Sequence, residues 1–246
     1  MPYIESQQES GNPVKIYYED YGKGKPIVLI HGWPVSHEMW EYQLNELLLY
    51  NFRCIAYDRR GFGKSDRPYN GYDYTTMADD LRSLLDKLDL QDVTLVGFSM
   101  GGGEVVRYCS RYNCERIAKV ILVSSIAPYL TRSDSNPDGI DKEVFTGMEI
   151  KLRNDRPAFL EDFGKQFFGA GLLSRPVSND ILNWMKMLAL SSSPRAVIDC
   201  LHAFSSTDLR SEMKSITVPA LVIHGDDDKT VPIKVSGQQA ASMIPK

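Results

Sequence analysis

A chain of 246 residues, 43% hydrophobic and with a formal charge of −4, is long enough for one sizeable core and has the wrong sign for nucleic acid or an anionic membrane surface. No apolar run approaches the roughly 18 residues that span a bilayer. Residues 1–9 show neither the basic nor the apolar part of a secretory leader, so a cytoplasmic protein is expected.

The four cysteines, Cys54, Cys109, Cys114 and Cys200, lack Cys-x-x-Cys spacing and read as buried, reduced thiols. No Cys/His cluster points to a metal site. Residues 14–21 are rich in β-formers and read as a strand, and Gly22-Lys23-Gly24-Lys25-Pro26 has the composition of a hairpin-like turn. Ile27-Val28-Leu29-Ile30 is a continuous apolar run, the pattern of a strand covered on both faces. It ends in the loop His31-Gly32-Trp33-Pro34. A helix over 39–49 follows, then a second buried strand over 53–57, which closes on Asp58-Arg59-Arg60-Gly61-Phe62-Gly63-Lys64-Ser65. That loop invites a phosphate-binding reading, but a P-loop needs glycine at position 58, where the residue is Asp58. A dinucleotide fingerprint starting at Gly101 and Gly103 fails in the same way at Val106.

Between 75 and 88, Met77, Leu81, Leu84, Leu85 and Leu88 fall at helical spacing, with Thr75 or Thr76 as N-cap. A strand from Val93 leads into Gly97-Phe98-Ser99-Met100-Gly101 and a further helix, and 117–125 is another buried strand. This alternation predicts a doubly wound, mostly parallel sheet. From 128 to 215 the β-rich runs stop, and helix-like segments occupy 142–151, 157–168, 180–189 and 194–204, as expected for a helical cap over the sheet's functional edge. A strand over 219–224, the loop Gly225-Asp226-Asp227-Asp228-Lys229-Thr230-Val231-Pro232 and a helix over 233–243 complete the pattern. The expected organisation is thus a core over 1–127, a cap over 128–215 and a second core part over 216–246.

Glycines two positions either side of Ser99 let the chain fold into a sharp strand-to-helix turn, because a side chain at Gly97 or Gly101 would collide with the neighbouring strand or helix. Such a turn lifts the Ser99 hydroxyl above the sheet beside the free N–H groups that begin the next helix. A serine nucleophile needs a base to take its proton and donors for the developing oxyanion. The backbone N–H of Met100 is the first candidate donor, and that of Trp33, in the loop after an early strand, is the second.

Together, His31-Gly32-Trp33-Pro34, the 57–65 loop, Gly97-Phe98-Ser99-Met100-Gly101-Gly102 and His224-Gly225-Asp226-x-Asp228-x-x-Val231-Pro232 resemble the α/β-hydrolase fold. More closely, they resemble its cofactor-free bacterial haloperoxidase and aryl-esterase branch. The resemblance implies a Ser–Asp–His triad under a helical cap, with Ser99 as nucleophile and Asp228 as the acid. It implies ester hydrolysis, with perhydrolysis as a side reaction in which hydrogen peroxide attacks the acyl-enzyme and the peracid oxidises halide in solution without haem or metal. Pro34 after the oxyanion tryptophan matches members that favour peroxide. The substrate pocket is expected among Trp33, Pro34, Phe98 and Val231, with Phe145, Phe159 and Phe163 of the cap. The implied partners are a small ester or carboxylic acid and peroxide, and many members of the branch are homo-oligomers.

The base is the departure. The triad order on this fold is serine, acid, histidine, with about 20–30 residues between acid and base. No histidine follows Asp228, and the four present are His31, His37, His202 and His224. A C-terminally truncated esterase lacking its last strand and helix, with an apolar sheet edge exposed, is the simplest expectation. A catalytically incomplete member that binds a ligand is the alternative. Carbon–carbon or epoxide hydrolysis on the same fold is a third reading, although epoxide hydrolases normally carry aspartate at the position of Ser99.

Overall fold

The computed structural model describes residues 2–6, 12–171 and 174–245. Among them, seven strands form one sheet: β1 (Tyr3–Ser6), β2 (Val14–Gly22), β3 (Lys25–Ile30), β4 (Phe52–Tyr57), β5 (Val93–Phe98), β6 (Ile117–Val123) and β7 (Ala220–Ile223). Their order is β1-β2-β4-β3-β5-β6-β7. The first two pairings are antiparallel and the rest are parallel. β3 to β6 are the apolar runs read from the sequence, and burial on both faces is why they do not alternate.

The expected hairpin between β2 and β3 is not formed. β4 lies between them, and β2 pairs antiparallel with it, Tyr18 opposite Tyr57 and Gly22 opposite Arg53. The glycine-rich turn instead packs against the segment that enters β4: a Cβ on Gly24, at φ 122°, would lie 2.2 Å from the Asn51 carbonyl oxygen.

Helices α1 (Glu41–Leu49), α2 (Tyr74–Lys87) and α3 (Met100–Tyr112) follow β3, β4 and β5. On α2 the cap is Asp73 rather than Thr75 or Thr76, because its carboxylate accepts the Thr76 N–H at 3.0 Å. The larger core lies between α2, α3 and the sheet. A smaller one, around Leu29, Trp40, Leu44 and Cys54, lies under α1. All four cysteines are buried and unpaired.

Between β6 and β7 come α4 (Lys142–Phe167), α5 (Asn179–Leu190) and α6 (Pro194–Ser206). α4 joins the two expected segments 142–151 and 157–168 across a kink at Asp155 (φ −152°, ψ 83°), where Pro157 starts the second part and Asp155 caps it through Ala158 N–H. The expected helix over 233–243 is likewise split at Ser236 into a short 3₁₀ turn and α7 (Gly237–Met243). β7 is the outer strand on the side away from β1, and Leu221 and Ile223 on it are 51% and 49% exposed. No described helix is long and apolar enough to cross a membrane.

Candidate active site

β5 runs into α3 with a single residue between them, and that residue is Ser99. Its backbone lies at φ 53°, ψ −117°, a region that side-chain-bearing residues seldom occupy. Space forces the turn. A Cβ on Gly97 would stand 2.6 Å from the Gly101 carbonyl oxygen, and one on Gly101 would stand 2.6 Å from that of Ile30 in β3. The strand-to-helix crossing is therefore as close as backbone permits, and the Ser99 side chain does not cap the helix it begins.

Ser99 opens into a cavity of about 820 Å³. Trp33, Val231 and the cap aromatics Phe145, Phe159 and Phe163 share its lining. Ile126, Leu130 and Phe204 also line it, a set that no local sequence signal marks. Pro34 and Phe98 do not line this cavity. They line a second one of about 410 Å³ on the far side of Trp33, with Trp40, Leu160 and Trp184. Trp33, Phe163 and Phe167 are common to both and form the partition. The indole packs edge-to-face on Phe163 at 5.3 Å and Phe204 at 5.5 Å, and its N–H donates to the Val197 carbonyl of α6 at 2.9 Å.

Two backbone N–H groups lie next to Ser99: Met100 follows it directly at the start of α3, and Trp33 belongs to the loop packed on it. The N–H groups of Met100 and Trp33 meet no acceptor among the described residues. The 31–34 loop lies against the serine, since a Cβ on Gly32 would come within 3.3 Å of Ser99 Cβ. Such a pair can stabilise a tetrahedral oxyanion.

Asp228 lies on the loop after β7 and is half-buried. Its Oδ1 accepts the N–H groups of Thr230 at 2.9 Å and Val231 at 2.8 Å, which fixes the carboxylate and leaves Oδ2 for another donor. The flanking Asp226 and Asp227 are exposed. His224 supports this loop: its Nε2 is 2.7 Å from the Val231 carbonyl oxygen and 3.6 Å from Asp228 Oδ2. The other histidines are engaged elsewhere. His202 pairs with Glu149 at 2.8 Å on the surface of the helical segment. His37 is buried with Nδ1 2.7 Å from Asp58. His31 is fully buried, and burial together with the Arg59 guanidinium pushes its imidazole down to about 3.

The glycine-rich 58–65 loop is closed by its own acid. Asp58 Oδ2 accepts the Lys64 N–H at 2.8 Å, and a Cβ on Gly63 would meet that carboxylate. A negative charge thus sits where a phosphate-binding loop would present free N–H groups.

A family model for the alpha/beta hydrolase fold matches residues 25–246. A non-heme chloroperoxidase of Kitasatospora aureofaciens is 41% identical, the match covering 94% of this chain and 84% of the relative. A bifunctional esterase/perhydrolase of Acinetobacter calcoaceticus is 37% identical over 94% of this chain and 85% of its own. The crystal structure of a bromoperoxidase from Bacillus anthracis superposes with a TM-score of 0.93 at 46% identity, covering 99% of this chain and 88% of the other. With a model matched over nearly the whole chain and the same fold in the superposed structure, this chain belongs to the α/β-hydrolase family.

Proposed function

We propose that this protein is a serine esterase with perhydrolase, haloperoxidase-like side activity, acting through an acyl-enzyme on Ser99. The observation that carries the reading is the position of Ser99: a strained elbow at the start of α3, packed against the 31–34 loop and opening on an aromatic cavity. In this reading Ser99 Oγ attacks the ester carbonyl and gives up its proton to a general base. The N–H groups of Trp33 and Met100 hold the oxyanion, and the base returns the proton to the departing alcohol. Water then attacks the acyl-enzyme to release acid. Hydrogen peroxide attacking instead releases a peracid, which oxidises halide away from the site.

Asp228 Oδ2 is the proposed acceptor for the base's second nitrogen, holding its tautomer. The reading calls for an imidazole there: His31, His37 and His202 are committed elsewhere, and His224, beside the acid, sets its Nε2 on the Val231 carbonyl, 3.6 Å from Oδ2. Residues 128–215 act as a cap between core parts 1–127 and 216–246, and Trp33 and Val231 wall the acyl site. The buried, unpaired cysteines fit work in the reducing cytoplasm. A homo-oligomer is part of the same reading. The ligand-binding alternative is disfavoured because the relatives reported above carry the names of enzymes.

The test is turnover of p-nitrophenyl acetate by the natural protein, with and without peroxide and bromide. Ser99→Ala is expected to abolish hydrolysis and bromide oxidation together. Turnover that survived this substitution would end the proposal.

A further inference from the structure

His31 opens the loop that carries Trp33, yet it lies wholly inside the protein and lines neither of the two cavities. A neutral imidazole has one N–H and one lone pair, and its neighbours decide which nitrogen carries which. Nε2 lies 3.0 Å from the backbone N–H of Arg59, which can only donate, so Nε2 is the acceptor. Nδ1 lies 2.8 Å from the Gly32 carbonyl oxygen, which can only accept, so Nδ1 carries the hydrogen. The opposite tautomer would set hydrogen against hydrogen at Arg59 and lone pair against lone pair at Gly32. In exchange it would gain only the 3.4 Å contact with Arg59 Nη1.

The Gly32–Trp33 peptide is trans, so its C=O and N–H point in opposite directions. A carbonyl pinned against the imidazole therefore turns the Trp33 N–H away from it. We propose that His31 is a positioning residue: its Nδ1–H holds the Gly32 carbonyl and so aims the Trp33 N–H at the oxyanion formed on Ser99. This rests on the esterase reading above and adds to it the group that sets the direction of one donor.

The ring is itself held. Arg59 Nη2 donates to the His31 carbonyl at 3.0 Å, and its Nε donates to Glu104 Oε2 at 2.9 Å. The other Glu104 oxygen accepts the Tyr57 hydroxyl. Arg59 and Glu104 are both essentially inaccessible to water. Glu104 lies on α3, whose first N–H is that of Met100. One buried chain of contacts, from α3 through Glu104, Arg59 and His31, thus ties the two donors to a common frame. Such a frame fixes the spacing of an oxyanion hole before substrate arrives.

Two variants and one spectrum test this in the natural protein. Gln at position 31 presents its amide near Nε2 and leaves the Nδ1 position empty, whereas Asn presents an N–H near Nδ1. His31→Gln should lower kcat for p-nitrophenyl acetate about 10- to 100-fold with KM within about twofold, and His31→Asn should recover most of the loss. A purely structural histidine would lower the melting temperature of both variants and leave kcat alone, and that result overturns the proposal. So does an equal kcat loss in both variants. Histidine ¹⁵N spectra of the unsubstituted protein decide the matter if the variants do not fold: the hydrogen must be on Nδ1 of His31 at pH 7, and finding it on Nε2, or on both nitrogens, refutes the proposal. If Ser99→Ala retains turnover, the esterase reading fails. If Ser99→Ala is dead and His31→Gln is fully active, only the positioning role fails.

Discussion

Trp33 donates its indole N–H to the Val197 carbonyl at 2.9 Å, so the loop after β3 is tied directly to α6 in the helical segment between β6 and β7. The segment and the sheet edge are thereby held together by one side chain, from the loop that packs on Ser99. Trp33→Phe keeps an aromatic wall but loses this bond and leaves a gap among Phe159, Phe163 and Phe204. A loss of about 1–3 kcal/mol by urea unfolding is expected, with faster amide exchange concentrated in residues 194–206. Unchanged exchange there would mean that the tie does not restrain α6.

The backbone of Ser99 makes a separate prediction. At φ 53°, ψ −117°, any residue with a Cβ is strained and glycine is not. Ser99→Gly should be more stable than Ser99→Ala by about 1 kcal/mol or more, although both lack the hydroxyl. Equal melting points would show that the elbow stores no strain.

Glycines of the same composition differ sharply by place. Gly97→Ala would set its Cβ 2.6 Å from a backbone oxygen and should cost more than about 2 kcal/mol, because neither β5 nor α3 can retreat. Gly147 lies within α4 with nothing within 4 Å of an added Cβ. Gly147→Ala should stabilise by about 0.5–1 kcal/mol through helix propensity and a less flexible unfolded chain. Chemical denaturation of the two variants against the parent checks both signs.

Two buried histidines six residues apart should tilt the pH profile in opposite directions. For His37, burial disfavours the charged ring, but Asp58 at 2.7 Å and Glu19 at 3.3 Å outweigh burial and Lys64 and hold its pKa above the ordinary 6.5. Its stabilisation is therefore complete below about pH 6.5 and is lost as pH rises through the raised value. His31, at about 3, is uncharged in the fold and takes up a proton on unfolding, so it costs stability as pH falls below 6.5 toward 3. Urea titrations from pH 5 to 9 should show decline on both sides. In His37→Gln the alkaline decline should flatten while the acid one persists, and an unaltered alkaline slope would remove His37 from the account.

The legible parts of this sequence were those set by local pattern. β3, β4, β5 and β6 are built on short apolar runs such as 27–30 and 120–123, Pro157 announces the restart within α4, and Gly97 and Gly101 mark the elbow where a Cβ has no room. The pairing of β2 with β4 was hidden, because a glycine-rich turn has the same composition whether its flanking strands pair with each other or with a third. The same limit applies to the wall at Trp33. Adjacency in sequence put Pro34 and Phe98 in the expected pocket, but the partition sends them to the neighbouring cavity. The Arg59–Glu104 pair left one faint trace, a glutamate on the apolar side of α3 next to Val105 and Val106. Only the fold shows that its partner is a buried arginine two residues past β4.

Trp33 meets different neighbours with its side chain and its main chain. Its side chain, with those of Phe163 and Phe167, stands between rooms of about 820 and 410 Å³, while its main chain belongs to the loop packed on Ser99. A smaller residue at this position would merge the rooms and leave the main-chain group in place. Under the proposed reading, the range of guests drifts through inheritance by single substitutions at one codon, with the elbow at Ser99 passed on unaltered.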